Sequence, residues 1–508
     1  MSEFKPTEEQ SLARTCAMDL QPGEIMTVNA YAGTGKTTTV KFIANSLPTL
    51  RTLYISFNRD MAEEAKHIFP THVECRTTHS LAYKSFGARF RHKLGNTRPY
   101  AIARAFRISE LEASAAAEAV RRFLYSGDDA ITSDHVEEAT GERDTDIRRL
   151  AERLWLGMAD PKNTELAIPH DGYLKLWVLS RPPCPFDLVL VDEAQDLNPV
   201  TLKLLLDWQA LGARLVFVGD THQSIYGFRL AVDAMSQVSA IAAAKSSLTE
   251  SWRFPQSVAD CASKILSTLK GDNVRLYGRG KHQGTGKQTR CFISRRNGTL
   301  IKAALSELSP GSGVHFAGTT KEKGWSPFEP YRFQEILDTF YLMAGTRGRI
   351  VNPHIGRFAT YEDLKKAAIG DEGDGDNKPE SPRDPELSPL VSLVEFYGMD
   401  TPRVLKRLED ASVGPEDTHK HFSTGHRAKG KQWAHVTLLS GFLPLDDAAK
   451  MKELKSKMSA REWSEEINLI YVAVTRCQRD YIPYPEAQLF LQGNTPAITT
   501  AAEMLRSA

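Results

Sequence analysis

The stretch "VNAYAGTGKTTTV", Val28 to Val40, sets two glycines, a lysine and a threonine between a β-rich run and an amphipathic one. The preceding "EIMTVNA" alternates as a strand does, and after the glycines Val40, Ile43, Ala44 and Leu47 recur at helical spacing. Strand, glycine-rich turn and helix start form the context in which such a stretch holds a phosphate. Gly33 and Gly35 let the backbone N–H groups turn toward an anion, so Ala32, Gly33, Thr34 and Gly35 are the expected cradle. Lys36 is expected to reach the terminal phosphates and the Thr37 hydroxyl to ligate Mg²⁺. Ala30 stands where such loops usually carry their first glycine. A decoy, "GTGKQ" at Gly284 to Gln288, has no apolar strand before it and no hydroxyl after its lysine, and reads as a surface loop.

A phosphate loop needs a second strand that brings carboxylates to the metal and to the attacking water. "FDLVLVDEAQD" supplies one: Leu188 to Val191 read as a buried parallel strand that ends at Asp192 and Glu193. Asp192 would hold Mg²⁺ through water, and Glu193 would orient or deprotonate the hydrolytic water. "ARLVFVGD" is another strand, ending at Gly219 and Asp220 and running into "THQSIYGFR". With "RTLYISF", these strands all deliver polar residues at their C-terminal ends, where open α/β sheets bind ligands.

"DEAQD" followed by "GDTHQSIYGFR" resembles motifs II and III of superfamily 1 helicases of the UvrD/Rep type. The rest of that motif set follows in order. "FKPTEEQ" resembles the Q motif, "FNRDMAEEA" and "TTHSLAY" motifs Ia and Ib, "LTESWRFP" motif IV, "STGHRAKGKQW" motif V and "EEINLIYVAVTR" motif VI. In wording the set is most similar to the helicase portion of F-box DNA helicases. The resemblance implies an α/β fold of two RecA-like P-loop motor domains, parallel sheets flanked by helices, with two mainly α-helical insertions. It implies that Gln10 reads adenine, that Trp252 stacks on the base, that Gln223 senses the γ-phosphate, and that Arg253 and Arg476 reach that phosphate from the opposite motor domain. Gln432 stands where the family usually has Glu, at the ribose contact. On the nucleic-acid side it implies Phe57, Asn58, Thr78, His79, Tyr226, Phe228, Arg229 and His426. Phe57, Tyr226 and Phe228 would stack on bases or line the track; the alternative for all three is a core aromatic, which weighs evenly for Phe57 and less than stacking for Phe228.

The motifs also fix the expected layout. Motor domain 1A takes residues 1–84 and 181–248, helical insertion 1B takes 85–180, motor domain 2A takes 249–320 and 415–508, and small insertion 2B takes 321–414. Within 2B, "DEGDGDNKPESPRDPELSP" reads as an acidic surface loop. The residues before Gln10 set up no expectation of an F-box role, nor those after motif VI of a fused nuclease.

Composition narrows the partners. With 41% hydrophobic and 25% charged residues the chain has the make-up of an ordinary globular protein, and its formal charge is only +1. Nucleic-acid affinity must therefore come from local patches. One candidate is "KSFGARFRHKLGNTRPYAIARAFR", Lys84 to Arg107, with seven Lys/Arg, no acid and four aromatics; another is Gly271 to Arg296. Either could as well be a solvated face. No apolar run approaches a membrane span, and the start is charged rather than signal-like. The six cysteines include no C-x-x-C pair, which argues against a zinc or iron-sulfur site and for a reducing compartment: cytoplasmic if the source is prokaryotic or viral, nuclear if eukaryotic.

The expected function is an ATP-dependent DNA helicase or translocase, with ATP and Mg²⁺, acting on single-stranded DNA and single-strand/duplex junctions. The resemblance implies 3′-to-5′ travel and a role in repair, recombination or replication. Two alternatives use the same motifs: a nucleic-acid-gated ATPase switch serving a partner protein, for instance in anti-phage defence, and an RNA helicase.

Overall fold

The computed structural model describes residues 5–56, 58–225, 234–280, 288–369 and 387–492. The chain divides into two compact units, Met1–Ser251 and Trp252–Ala508. In the first unit six strands form one sheet: β1 Ile25–Ala30, β2 Thr52–Ile55, β3 Val73–Arg76, β4 Leu188–Val191, β5 Arg214–Gly219 and β6 Ala244–Leu248. Their order is β3-β2-β4-β5-β1-β6 and every pairing is parallel.

Both faces of this sheet are covered at its centre, which explains why β4 and β5 read as nearly unbroken apolar runs. Leu188, Leu190, Val216 and Val218 pack in one cluster with Val40, Ile43 and Ala44 of the helix Lys36–Ser46. Their neighbours Val189, Val191, Leu215 and Phe217 pack in the other, against helices from the long β3–β4 connection. The alternation expected of "EIMTVNA" is replaced by burial on both sides: Ile25 belongs to one cluster, Met26 and Val28 to the other, and even Thr27 is buried.

The β3–β4 connection is helical, with α-helices Thr78–Ser85, Pro99–Phe106, Glu110–Tyr125, Ser133–Thr140, Thr145–Ala159 and His170–Leu179. Ser109 and Glu112 form a reciprocal capping box, and Asp144 caps Thr145–Ala159, so these starts are set locally. Two buried lysines close the other ends. Lys93 Nζ donates to the carbonyls of Gly157 (3.2 Å) and Asp160 (2.9 Å), and Lys175 Nζ to those of Ser126 (2.9 Å) and Asp128 (2.6 Å). Burial lowers both ammonium pKa values, that of Lys175 to about 7. The basic stretch Lys84 to Arg107 is therefore not uniform: Lys93 faces inward and caps a helix, while Lys84, Arg89, Arg91, Arg98, Arg104 and Arg107 are exposed.

The second unit repeats the layered plan. Its strands β7 Arg290–Ser294, β8 His315–Phe316, β9 Lys420–Thr424, β10 Trp433–Leu438 and β11 Cys477–Ile482 form a parallel sheet in the order β8-β9-β7-β10-β11. Between β8 and β9 lie the helices Phe333–Met343, Tyr361–Ile369, Ser388–Tyr397 and Thr401–Asp410, whose apolar faces share a core with Phe292, Phe316 and Phe422. The helix Ala460–Val474 is buried without a break from Ile467 to Val474. The fold is thus α/β, with parallel sheets flanked by helices. Most of the expected acidic loop (371–386 of 371–389) and of the "GTGKQ" decoy (284–287) lie outside the described residues. All six cysteines are free, and no helix among the described residues is long and apolar enough to cross a membrane.

Lys93→Met should destabilise the first unit by about 1–3 kcal/mol in denaturant unfolding, because two carbonyls at a helix end lose their donor. Affinity for single-stranded DNA should be unchanged; a selective loss of DNA affinity would return Lys93 to the surface.

Candidate nucleotide-binding site

The chain leaves β1 at Ala30, which is buried and remains within the strand, in register with Leu248 of β6. Ala30 is not among the residues with positive φ, so the absence of a glycine there costs nothing. The special conformation comes later: Gly33 has φ 76° and Gly35 φ 84°, the left-handed region that glycine adopts without strain. Between them Thr34 folds the loop back, its Oγ1 donating to the Tyr31 carbonyl at 2.7 Å. Gly35 begins the helix Lys36–Ser46, and no side chain caps that helix, which suits a start reserved for an anion.

Four of the candidate residues, Lys36, Thr37, Asp192 and Glu193, meet at the end of β4. Thr37 Oγ1 donates to Asp192 Oδ2 (3.3 Å), Tyr54 OH donates to the same oxygen (2.8 Å), and the Glu193 amide donates to Asp192 Oδ1 (2.8 Å). Lys36 Nζ lies 3.5 Å from Glu193 Oε1. Burial, and then the Glu193 charge, hold the Asp192 carboxyl above its ordinary pKa, and burial followed by Asp192 raises the Tyr54 phenol. Glu193 itself sits at φ 51°, a backbone conformation uncommon for a side-chain-bearing residue.

These residues fit a divalent cation. Two adjacent carboxylates and a hydroxyl converge at a buried strand end, where a cation would offset the repulsion between the carboxylates. Among the described residues no group of three or more His, Cys, Asp or Glu is arranged to hold a metal alone. Thr37 and Asp192 would therefore share the ion with phosphate oxygens and water. When bound it would offset phosphate charge.

From Glu193 a polar chain runs on to the next strand. Gln195 Nε2 donates to Glu193 Oε2, Gln195 Oε1 accepts from the Asp220 amide (3.0 Å), and Asp220 Oδ2 accepts from Gln223 Nε2 (2.7 Å). Gln223 is buried. Neither Tyr54 nor Gln195 is singled out by the sequence; each lies in a quoted stretch, but its hydrogen-bonding role depends on strand order.

The remaining candidates are distributed differently. Gln10 is buried against the P-loop helix, its Nε2 donating to Thr39 Oγ1 (3.2 Å) and its Oε1 accepting from the Thr7 amide (3.1 Å). Asn58 caps the helix Arg59–Ile68 through the Met61 amide, Thr78 is buried at a helix start, and His79 Nε2 lies 3.0 Å from Asp171 Oδ1. Phe57, Tyr226, Phe228 and Arg229 lie outside the described residues. In the second unit Trp252 is 54% exposed and Gln432 is exposed on the loop before β10. Arg253 and Arg476 flank one helix end: Arg253 donates to the Thr475 carbonyl (3.2 Å), and buried Arg476 to those of Val472 (3.0 Å) and Lys431 (3.4 Å). His426, also partly buried, has its pKa lowered to about 4 by burial and then by Arg295.

The parallel sheet, phosphate loop and acidic strand end resemble those of P-loop nucleotide-binding units, and residues 14–229 match the family model described as an AAA domain. Over 94% of its length the chain is 29% identical to F-box DNA helicase 1 of Gallus gallus and 29% identical to F-box DNA helicase protein 1 of Schizosaccharomyces pombe. These alignments cover 49% and 57% of the two proteins, so the chain spans about half the length of the curated relatives it matches. The resemblance read from the motifs is borne out: the chain is related to this group of helicases.

Lys36→Ala should weaken nucleotide binding, because the cationic grip on phosphate is lost. Glu193→Gln should bind nucleotide yet turn over about 10²-fold or more slowly, since only the water-orienting charge is removed. Equilibrium binding of a fluorescent nucleotide together with steady-state ATPase separates the two; normal turnover in either variant would refute the assignment.

Proposed function

We propose that the chain is an ATP-dependent DNA helicase or translocase that moves along single-stranded DNA, 3′-to-5′, and engages single-strand/duplex junctions. The observation that carries this reading is the polar chain from Lys36 through Glu193, Gln195 and Asp220 to Gln223. It links the phosphate loop to the turn that precedes Tyr226, Phe228 and Arg229 in sequence, the residues the resemblance assigns to DNA. An ATPase whose turnover does work on a strand needs such a link between phosphate state and strand contact. The relatives are named as DNA helicases, which favours DNA over RNA.

In this reading ATP and Mg²⁺ are held by Gly33 to Thr37 and Asp192, Glu193 positions the water, and Gln223 reports the phosphate. Arg253 and Arg476 offset charge in the transition state, a contribution typically worth about 10³ or more in rate. Either arginine changed to alanine should lower kcat by about that factor and leave single-strand binding largely intact, measured by ATPase and fluorescence anisotropy. Normal hydrolysis in both variants would remove them from the mechanism.

The deciding experiment is strand separation of 3′-tailed, 5′-tailed and blunt DNA duplexes by the purified chain, with ATPase stimulation by single-stranded DNA and RNA measured in parallel. Unwinding confined to the 3′-tailed duplex and stimulation by DNA are expected. Stimulated ATPase with no strand separation on any duplex would overturn the helicase reading.

A further inference from the structure

We infer that Tyr31 and His222 form a stacked pair that makes the phosphate loop and the turn after β5 move as one, a positioning role that rests on the nucleotide reading above. β1 and β5 are direct neighbours, with Asn29 opposite Gly219, so the two chains leave the sheet side by side. One exit leads to Tyr31, the first residue of the phosphate loop, and the other to Asp220 and the turn Thr221–Gln223. The rings of Tyr31 and His222 lie 5.9 Å apart between centroids with 19° between their planes. Both residues are buried, at 4% and 6% exposure, yet neither belongs to the apolar clusters on the two faces of the sheet.

Each ring is anchored to the segment it would move. The Tyr31 amide donates to the Leu248 carbonyl (3.2 Å), and the Tyr31 carbonyl accepts from the Thr34 amide (3.3 Å) and Thr34 Oγ1 (2.7 Å). Tyr31 is thus the fixed end of the glycine turn, and a rearrangement of Gly33 to Lys36 acts directly on its backbone. On the other side the His222 amide donates to Asp220 Oδ1 (3.0 Å), and Asp220 Oδ2 accepts from Gln223. A shift of His222 therefore acts on the carboxylate that holds Gln223. The stack is a second connection that meets the Lys36–Glu193–Gln195 route at Asp220, and it joins the same two segments through ring contact rather than charge.

The test is amide hydrogen exchange with and without Mg²⁺ and a non-hydrolysable ATP analogue, at concentrations that saturate each variant as judged by protection of Gly33 to Thr37. In the wild-type chain the analogue should slow exchange at His222, Gln223 and Ser224 by about fivefold, within the range expected of one aromatic pair. Tyr31→Leu and, independently, His222→Leu should reduce that difference to about twofold or less, the remainder being carried by the polar chain through Gln195, and Tyr31→Phe should keep it in full. A purely structural contact would change melting temperature without reducing the nucleotide-dependent difference. Protection at Gly33 to Thr37 with none at 222–224 in the wild type, or undiminished protection in both leucine variants, would overturn the coupling alone. No protection anywhere in the wild type would overturn the nucleotide reading and this inference with it.

Discussion

The parallel pairing of β1 with β5 is the constraint on which the site depends. With Val28 opposite Val218 and Asn29 opposite Gly219, the phosphate loop and the Asp220 turn leave the sheet at the same edge. β4 pairs with β5 from the other side, Val191 opposite Phe217, and brings Asp192 and Glu193 to that edge as well. Three segments from distant parts of the sequence then fall within hydrogen-bond reach of each other. The fit at this edge is close. A Cβ on Gly219 would stand 2.5 Å from Gln195 Oε1 and 3.1–3.2 Å from the amide nitrogens of Gln195 and Ala194, so only glycine lets the β4 and β5 exits touch. The same register that builds the polar chain also brings the Tyr31 and His222 rings together.

Two neighbouring carboxylates at a buried strand end would be costly without partners, and the surroundings supply different ones to each. Asp192 is enclosed and receives hydroxyl and amide donors from three directions, an arrangement that fixes its oxygens for a cation. Glu193 keeps 21% of its side chain exposed, facing Lys36 and the Gln195 amide. One carboxylate is held still and the other stays reachable by water. Their difference in environment suits the difference in roles that the Asp-Glu order suggests.

Much of this was readable from the sequence because the signals are local. A run such as "LVLV" followed by Asp-Glu has few structural solutions once both faces of a sheet are buried, and Gly33 and Gly35 announce the positive φ values they adopt. What could not be read is contact between residues far apart in the chain. The Tyr54 hydroxyl on Asp192, Gln195 as the bridge to Asp220, and the Tyr31–His222 stack all depend on strand order, which no spacing encodes. Composition misled where one side chain departs from its neighbours: Lys93 sits in a basic run yet turns inward, because helix-end carbonyls without donors attract it. The motifs of Asn58 and His79 imply DNA contacts, and the described partners of these residues are a helix start and Asp171.

Gln10 shows how a motif residue can shape the architecture around a candidate ligand site. Its Oε1 and the Thr7 hydroxyl close a capping box on the helix Glu8–Asp19, and its Nε2 ties that helix to Thr39 on the P-loop helix. The adjoining Glu9 carboxylate takes both the amide and the hydroxyl of Thr249, just past β6. The first helix is thereby tied to both the P-loop helix and the far edge of the sheet. A primary amide has two N–H donors and two carbonyl lone pairs, and these contacts use one of each. The donor and acceptor that remain form the pair that adenine presents in complement. Were Gln10 to read adenine, as the resemblance implies, the bonds to Thr7 and Thr39 would set its orientation from within the fold before the base arrives.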